Sequence, residues 1–201
     1  MRTVPIFIAL VSFLGSAGQA FPATTETIVL IRHGEKPPGG EGRLDCHGLN
    51  RANALPAALT KQFGRFDAIF APDPDQMKKD DGVKYRYLRP LETVTPLSKA
   101  TGTAVDTRFG YKETGDLRRE LLSPHYRGAT LLVAWEHKKL VKLARDLIEH
   151  GGGDPGLVGK WSGRDFDSIY VIRIVRDGGV TSASFGRSSE GLNAEGSADC
   201  R

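Results

Sequence analysis

Thr27-Ile28-Val29-Leu30-Ile31-Arg32-His33-Gly34-Glu35-Lys36-Pro37 is the stretch on which the fold turns. Ile28 to Ile31 are consecutive aliphatic residues, and all but Leu30 are β-branched. A strand covered on both faces reads this way, because it has no polar side to alternate with. The run stops on Arg32-His33-Gly34. Gly34 permits a sharp turn, and Pro37-Pro38-Gly39-Gly40 keeps the next segment in a loop. A cation and an imidazole at the carboxyl end of a buried strand stand where open α/β sheets place their ligand crevice. The competing reading is a surface charge pair after a core strand.

Working outward, a second continuous apolar run, Ala129 to Trp135, stops on Glu136-His137. Between the two runs lie helical patterns. Leu49, Ala52, Leu55, Leu59 and Phe63 predict a helix over Leu49 to Phe63, with Pro56 expected to bend or break it. Arg89 to about Ala100 is a second helix, with Pro90 in its first turn and Pro96 as a break. Thr114 to Leu122 is a third, and Lys138 to His150 a fourth. Short strands are expected at Phe66 to Ala71 and Thr103 to Asp106. Asp167 to Ile174 and Thr181 to Phe185 are the last strands, joined by the turn Asp177-Gly178-Gly179. Asp73 to Lys84 is polar and reads as a mobile loop at the mouth of whatever the sheet binds. Strands alternating with helices imply an α/β, three-layer sandwich with a mostly parallel central sheet flanked by helices. In such a sheet the two charged strand ends can be neighbours.

The chain has 201 residues, enough for one domain with a sizeable core. Its formal charge is +4, and no Lys/Arg run accompanies an aromatic series. Nucleic acid is therefore not an expected partner, and anionic small molecules suit the charge better. Residues 1–20 read as a secretory signal: Arg2 supplies the positive start, Val4 to Leu14 the apolar run, and Gly18-Gln19-Ala20 the cleavage site. The run is too short for stable membrane insertion. The mature domain is then 21–201, periplasmic or secreted. Cys46 and Cys200 are the two cysteines, and an oxidising compartment permits them to pair or to remain as thiols.

Arg32-His33 and Glu136-His137, brought together, form a recognisable chemical set. A neutral imidazole can attack phosphorus and form a covalent intermediate. The transferred group needs fixed cations around its oxygens, and a guanidinium fork such as Arg32 suits two of them. By order along the chain Arg89 is the best-placed second arginine, and His137 can donate to the same oxygens. No cluster has metal-ligand spacing, so neither a metal nor another cofactor is expected.

Val29 to Glu35 resembles the strand and nucleophile loop of the histidine phosphatase superfamily, whose fold is called phosphoglycerate-mutase-like. Leu44, Gly48, Arg51-Ala52 and Leu55 resemble its first helix, Arg89 with Thr93 its second-arginine helix, and Leu132 to His137 the strand bearing its second histidine. The resemblance covers nearly all of the mature chain. It implies a phosphohistidine on His33, a phosphate pocket of Arg32, Arg89 and His137, and a small phosphorylated substrate. For the general acid, the larger branch nominates Glu113, whereas position beside His137 nominates Glu136. Extended geometry would point Glu136 and His137 to opposite faces, so both acids stay open. Lys138 occupies the position where the acid-phosphatase branch has Asp, and there is no room for that branch's long cap insert. The Asn common after the triplet in mutases is also missing. The expectation is an exported, metal-independent phosphomonoester hydrolase. The alternative is an exported relative that grips a phosphorylated ligand without turnover.

Overall fold

The computed structural model describes residues 22–80 and 82–196. The expected signal segment and Cys200 lie outside the described residues. Six strands form the central sheet in the order β5-β2-β6-β1-β7-β8. These are β1 (Thr24–Arg32), β2 (Ala68–Phe70), β5 (Val105–Asp106), β6 (Thr130–Trp135), β7 (Ser168–Asp177) and β8 (Val180–Ser189). The pairings β1–β6, β2–β6 and β2–β5 are parallel, and β7 and β8 extend the sheet antiparallel beyond β1. The expected α/β sandwich is the observed one.

The sheet accounts for the apolar run of β1. Ile28 and Leu30 face one core with α3 (Thr114–Leu121) and α4 (His137–His150), against Leu117, Leu140 and Leu147. Val29 and Ile31 face the other with α1 (Cys46–Phe63) and α2 (Arg89–Thr101), against Leu55, Leu59, Val94 and Leu97. All four side chains are fully buried, each contributing about 1.5–3 kcal/mol by leaving water. Two covered faces leave no place for a polar alternation.

Two expectations need correction. Pro56 and Pro96 do not break α1 or α2. Each ring removes one backbone hydrogen bond, but buried Leu55 and Leu59 in one helix, and Val94 and Leu97 in the other, hold the turns on both sides. Nor is 73–84 a plain loop. It carries β3 (Met77–Asp80) and the start of β4 (Val83–Arg86), which pair as a two-stranded sheet of their own. Lys78 and Asp80 turn inward while Met77 and Lys79 turn out. The inner face of this hairpin mixes Lys78 and Asp80 with Val83 and Tyr85, and Met77 lies on the outer one, so apolar residues do not segregate to a single face over strands only four residues long. A short helix, α5 (Asn193–Gly196), ends the described chain against α1. No helix among the described residues is long and apolar enough to cross a membrane.

Candidate active site

His33 follows β1 directly, and its amide extends the ladder by donating to Trp135 O at 3.1 Å. Its ring Nδ1 lies 2.8 Å from Gly34 O. A carbonyl only accepts, so Nδ1 carries the proton and Nε2 keeps its lone pair. Burial lowers the imidazole pKa well below its usual value, and the charges of Arg89, Arg32 and Lys78 add to that against the Gly34 bond. The ring is therefore neutral at ordinary pH. Gly34 N–H donates to Thr93 Oγ1 at 3.0 Å, and that hydroxyl donates to Arg89 O, which fixes the loop on α2. On the other side the loop meets α1: a Cβ on Gly34 would come within 3.0 Å of Gly48, and one on Gly48 would run into the Glu35 backbone. Only glycine at both positions permits this approach.

Two buried guanidiniums set the field at the imidazole. Arg32 donates from Nη1 to Gly163 O at 2.8 Å and Asp165 O at 3.0 Å, and stacks 3.8 Å from the Phe166 ring centroid. Burial brings its pKa down to about 10, with Glu136 opposing. Arg89 donates from Nη1 to Gly40 O at 2.7 Å, and Asp80 Oδ2 stands 2.7 Å from the same nitrogen. Arg32 Nε, Arg89 Nε and the Tyr87 hydroxyl are buried with no hydrogen-bond partner among the described residues. Tyr87 lies edge-on to His33, at 6.1 Å between centroids. Several donors around one imidazole are thus left unpaired, a costly arrangement unless something else accepts from them.

Glu136 and His137 lie side by side rather than on opposite faces, because β6 ends at Trp135 and the chain turns into α4 at His137. Glu136 caps α4 through Lys139 N–H at 3.2 Å, and its Oε1 lies 2.9 Å from His137 Nδ1. Burial alone would raise this carboxyl, but His137 and the Lys138 and Lys139 amides outweigh it and hold it at about 2. His137 Nε2 faces Gly163, the residue whose carbonyl binds Arg32. Glu113 is exposed, and its carboxylate accepts from Gly110 N–H at 2.9 Å.

No family model matches the sequence, and no curated protein aligns with it. Solved structures do. The chain assigned as the phosphohistidine phosphatase SixA of Nakamurella multipartitia superposes with a TM-score of 0.55 at 14% identity, over 83% of this chain and 98% of that one. A mycobacterial glucosyl-3-phosphoglycerate phosphatase gives 0.53 at 14%, over 80% and 97%. The phosphoglycerate mutase of Plasmodium falciparum gives 0.50 at 15%, over 81% and 89%. The fold is phosphoglycerate-mutase-like.

Within this phosphoglycerate-mutase-like fold, the sequence-named residues Arg32, His33, Arg89, Glu136 and His137 are linked through shared backbone, ring and charge contacts. Sequence reasoning missed Lys78, Asp80, Tyr87, Phe166 and the 163–165 segment. Lys78 Nζ sits 5.0 Å from the Tyr87 ring centroid and 3.5 Å from Asp80, and its charge reaches His33. Also missed was the role of Arg51, a fully buried side chain that holds the loop after β1 through Glu35. It binds Glu35 through Nε and Nη2 at 2.8–3.1 Å, Glu190 at 2.8 Å and Asp167 at 3.2 Å. Burial raises the Glu190 carboxyl to about 8, with Arg51 opposing and Asp167 and Glu35 adding to the rise. Among the described residues no group of three or more His, Cys, Asp or Glu is arranged to hold a metal ion.

Proposed function

We propose that the protein is an exported, metal-independent phosphomonoester hydrolase acting on a small phosphorylated substrate through a phosphohistidine on His33. One observation carries this reading: a buried neutral imidazole, its Nε2 lone pair available, sits in the field of two buried arginines that retain unpaired donors. Arg32 and Arg89 take the phosphoryl oxygens, and His137 donates to the same group from Nε2 while Glu136 holds its Nδ1 side. Nε2 attacks phosphorus, the ester oxygen departs, and water then releases phosphate. The uncatalysed reaction is so slow that most of the acceleration must come from positioning and charge.

The test is acid-quench trapping of labelled phosphate from an aryl phosphate. The wild type is expected to carry label on His33, and His33→Ala to carry none and to lose more than about 10⁴-fold in turnover. Normal turnover by His33→Ala would sink the mechanism. Tight phosphate-ester binding with no label in the wild type would favour the non-catalytic reading instead. Export rests on the pattern in residues 1–20, and the mature protein is expected to begin at Phe21 by N-terminal sequencing. Cys46 opens α1, and in an oxidising compartment it is proposed to pair with Cys200, which peptide mapping of the unreduced protein checks.

A further inference from the structure

Glu136 and Asp80 both reach the cluster around His33, and they are held differently. Glu136 is committed through backbone: it accepts from the Lys138 and Lys139 amides at the start of α4, while its Oε1 stands 2.9 Å from His137 Nδ1 without an aligned hydrogen bond. Asp80 is not committed in this way. It stands on the inner face of the β3–β4 hairpin, 13% exposed, with Oδ1 3.5 Å from Lys78 Nζ and Oδ2 2.7 Å from Arg89 Nη1. That nitrogen already donates to Gly40 O, and Asp80 Oδ2 is buried without an aligned hydrogen bond of its own. The ion pair with Arg89, with no backbone amide on the carboxylate among the described residues, keeps it there. The hairpin strands pair only with each other, so nothing in the sheet ties Asp80 to this contact.

We propose that Asp80 is the proton donor to the leaving group of a phosphomonoester held at Arg89. The assignment rests on phosphoryl transfer to His33. Displacement at phosphorus runs in line, so the leaving oxygen faces away from Nε2. His33 and Arg89, at 2% and 1% exposure, form the floor of the site, and Asp80 lies nearer solvent on the same guanidinium. Burial would raise the Asp80 carboxyl, but Arg89 and Lys78 outweigh it and keep the group ionised. A dianionic phosphoryl group seated on Arg89 competes for that cation and sets like charge beside the carboxylate, which raises its proton affinity. Asp80 then takes a proton from solvent. As Nε2 forms the N–P bond, the P–O ester bond breaks and the Asp80 proton passes to the departing oxygen. In the second half, water oxygen bonds to phosphorus and the N–P electron pair returns to Nε2. The proton lost by water goes to the Asp80 carboxylate.

The experiment compares kcat/KM of wild type, Asp80→Asn and Asp80→Glu on 4-nitrophenyl phosphate and on glycerol 2-phosphate. The nitrophenolate leaves without help, whereas the alkoxide needs a proton. Asp80→Asn is expected to lose about 10²-fold or more on the alkyl ester and only a few-fold on the aryl ester. Asp80→Glu is expected to recover part of the alkyl activity. Both esters are measured on one preparation, so partial misfolding lowers both equally and leaves their ratio unchanged. Equal losses on the two esters, with label still trapped on His33, would overturn the assignment of Asp80 alone. Absence of label on His33 in the wild type would overturn the phosphohistidine reading and the assignment with it.

Discussion

Two buried arginine clusters lie on either side of the loop Arg32-His33-Gly34-Glu35, and they use the same side chain in opposite ways. Arg51 is surrounded by carboxyl groups: Glu35, Asp167 and Glu190 all reach it within 3.2 Å. Its charge is consumed inside the protein. Arg32 leans on neutral partners, the carbonyls of Gly163 and Asp165 and the face of Phe166. Arg89 uses the Gly40 carbonyl and a single, poorly aligned carboxylate. Carbonyls orient a guanidinium without neutralising it, so the field of Arg32 and Arg89 remains available to an anion. What separates an arginine whose charge is spent from one whose charge is left over is here the charge of its partners, not its depth. All three are 4% exposed or less.

The contrast can be broken by mutating one residue on each side. The largest effect is expected from Arg51→Ala, which leaves three carboxyls facing one another without their cation. It should cost about 3–5 kcal/mol of stability, read as a fall in denaturation midpoint or a loss of folded protein. Arg89→Ala should leave that midpoint close to wild type but lower kcat/KM for a phosphomonoester by about 10²–10³-fold. If the two variants exchanged these behaviours, the distinction between the clusters would be wrong.

A smaller effect sharpens the Arg51 side. The Glu190 carboxyl keeps its proton up to about pH 8 in the folded protein, against a usual value of 4.5. Between those values the folded state binds more protons than the unfolded one, so wild-type stability should fall as pH rises and level off above pH 8. Glu190→Gln carries no proton to lose at that position. Thermal melts at pH 5 and pH 8 should therefore show a smaller drop for the variant than for wild type. An identical drop would mean that Glu190 is ionised throughout.

The parts of the molecule differ in how legible they were. Ile28 to Ile31 and Ala129 to Trp135 announce buried strands because burial on two faces leaves a local signature. Arg32, His33, Glu136 and His137 are legible as the residues on which those strands end. Lys78 and Asp80 were hidden in a four-residue strand, Met77 to Asp80, with one apolar residue, too few for an alternation to register. The partners of Arg51 were hidden for another reason. Asp167 and Glu190 lie 116 and 139 positions away in the chain, and nothing local marks a carboxylate as belonging to a distant arginine. Glu113 and Glu136 looked equivalent as acids until their surroundings differed: one is exposed beside Gly110, the other capped and paired at His137.

The sequence by itself determined the strands of the central sheet, the four long helices and the order in which the charged strand ends appear, since hydrophobic periodicity is a local property of the chain. Which charges meet was decided only in three dimensions. Parallel pairing of β1 with β6 sets Arg32 opposite Trp135, and that register brings His33 level with the Glu136-His137 end. The helix starting at His137 then turns both side chains to the same region. Partner choice depends on register and on chain segments far apart in sequence. A buried charge takes its function from the partners that packing gives it.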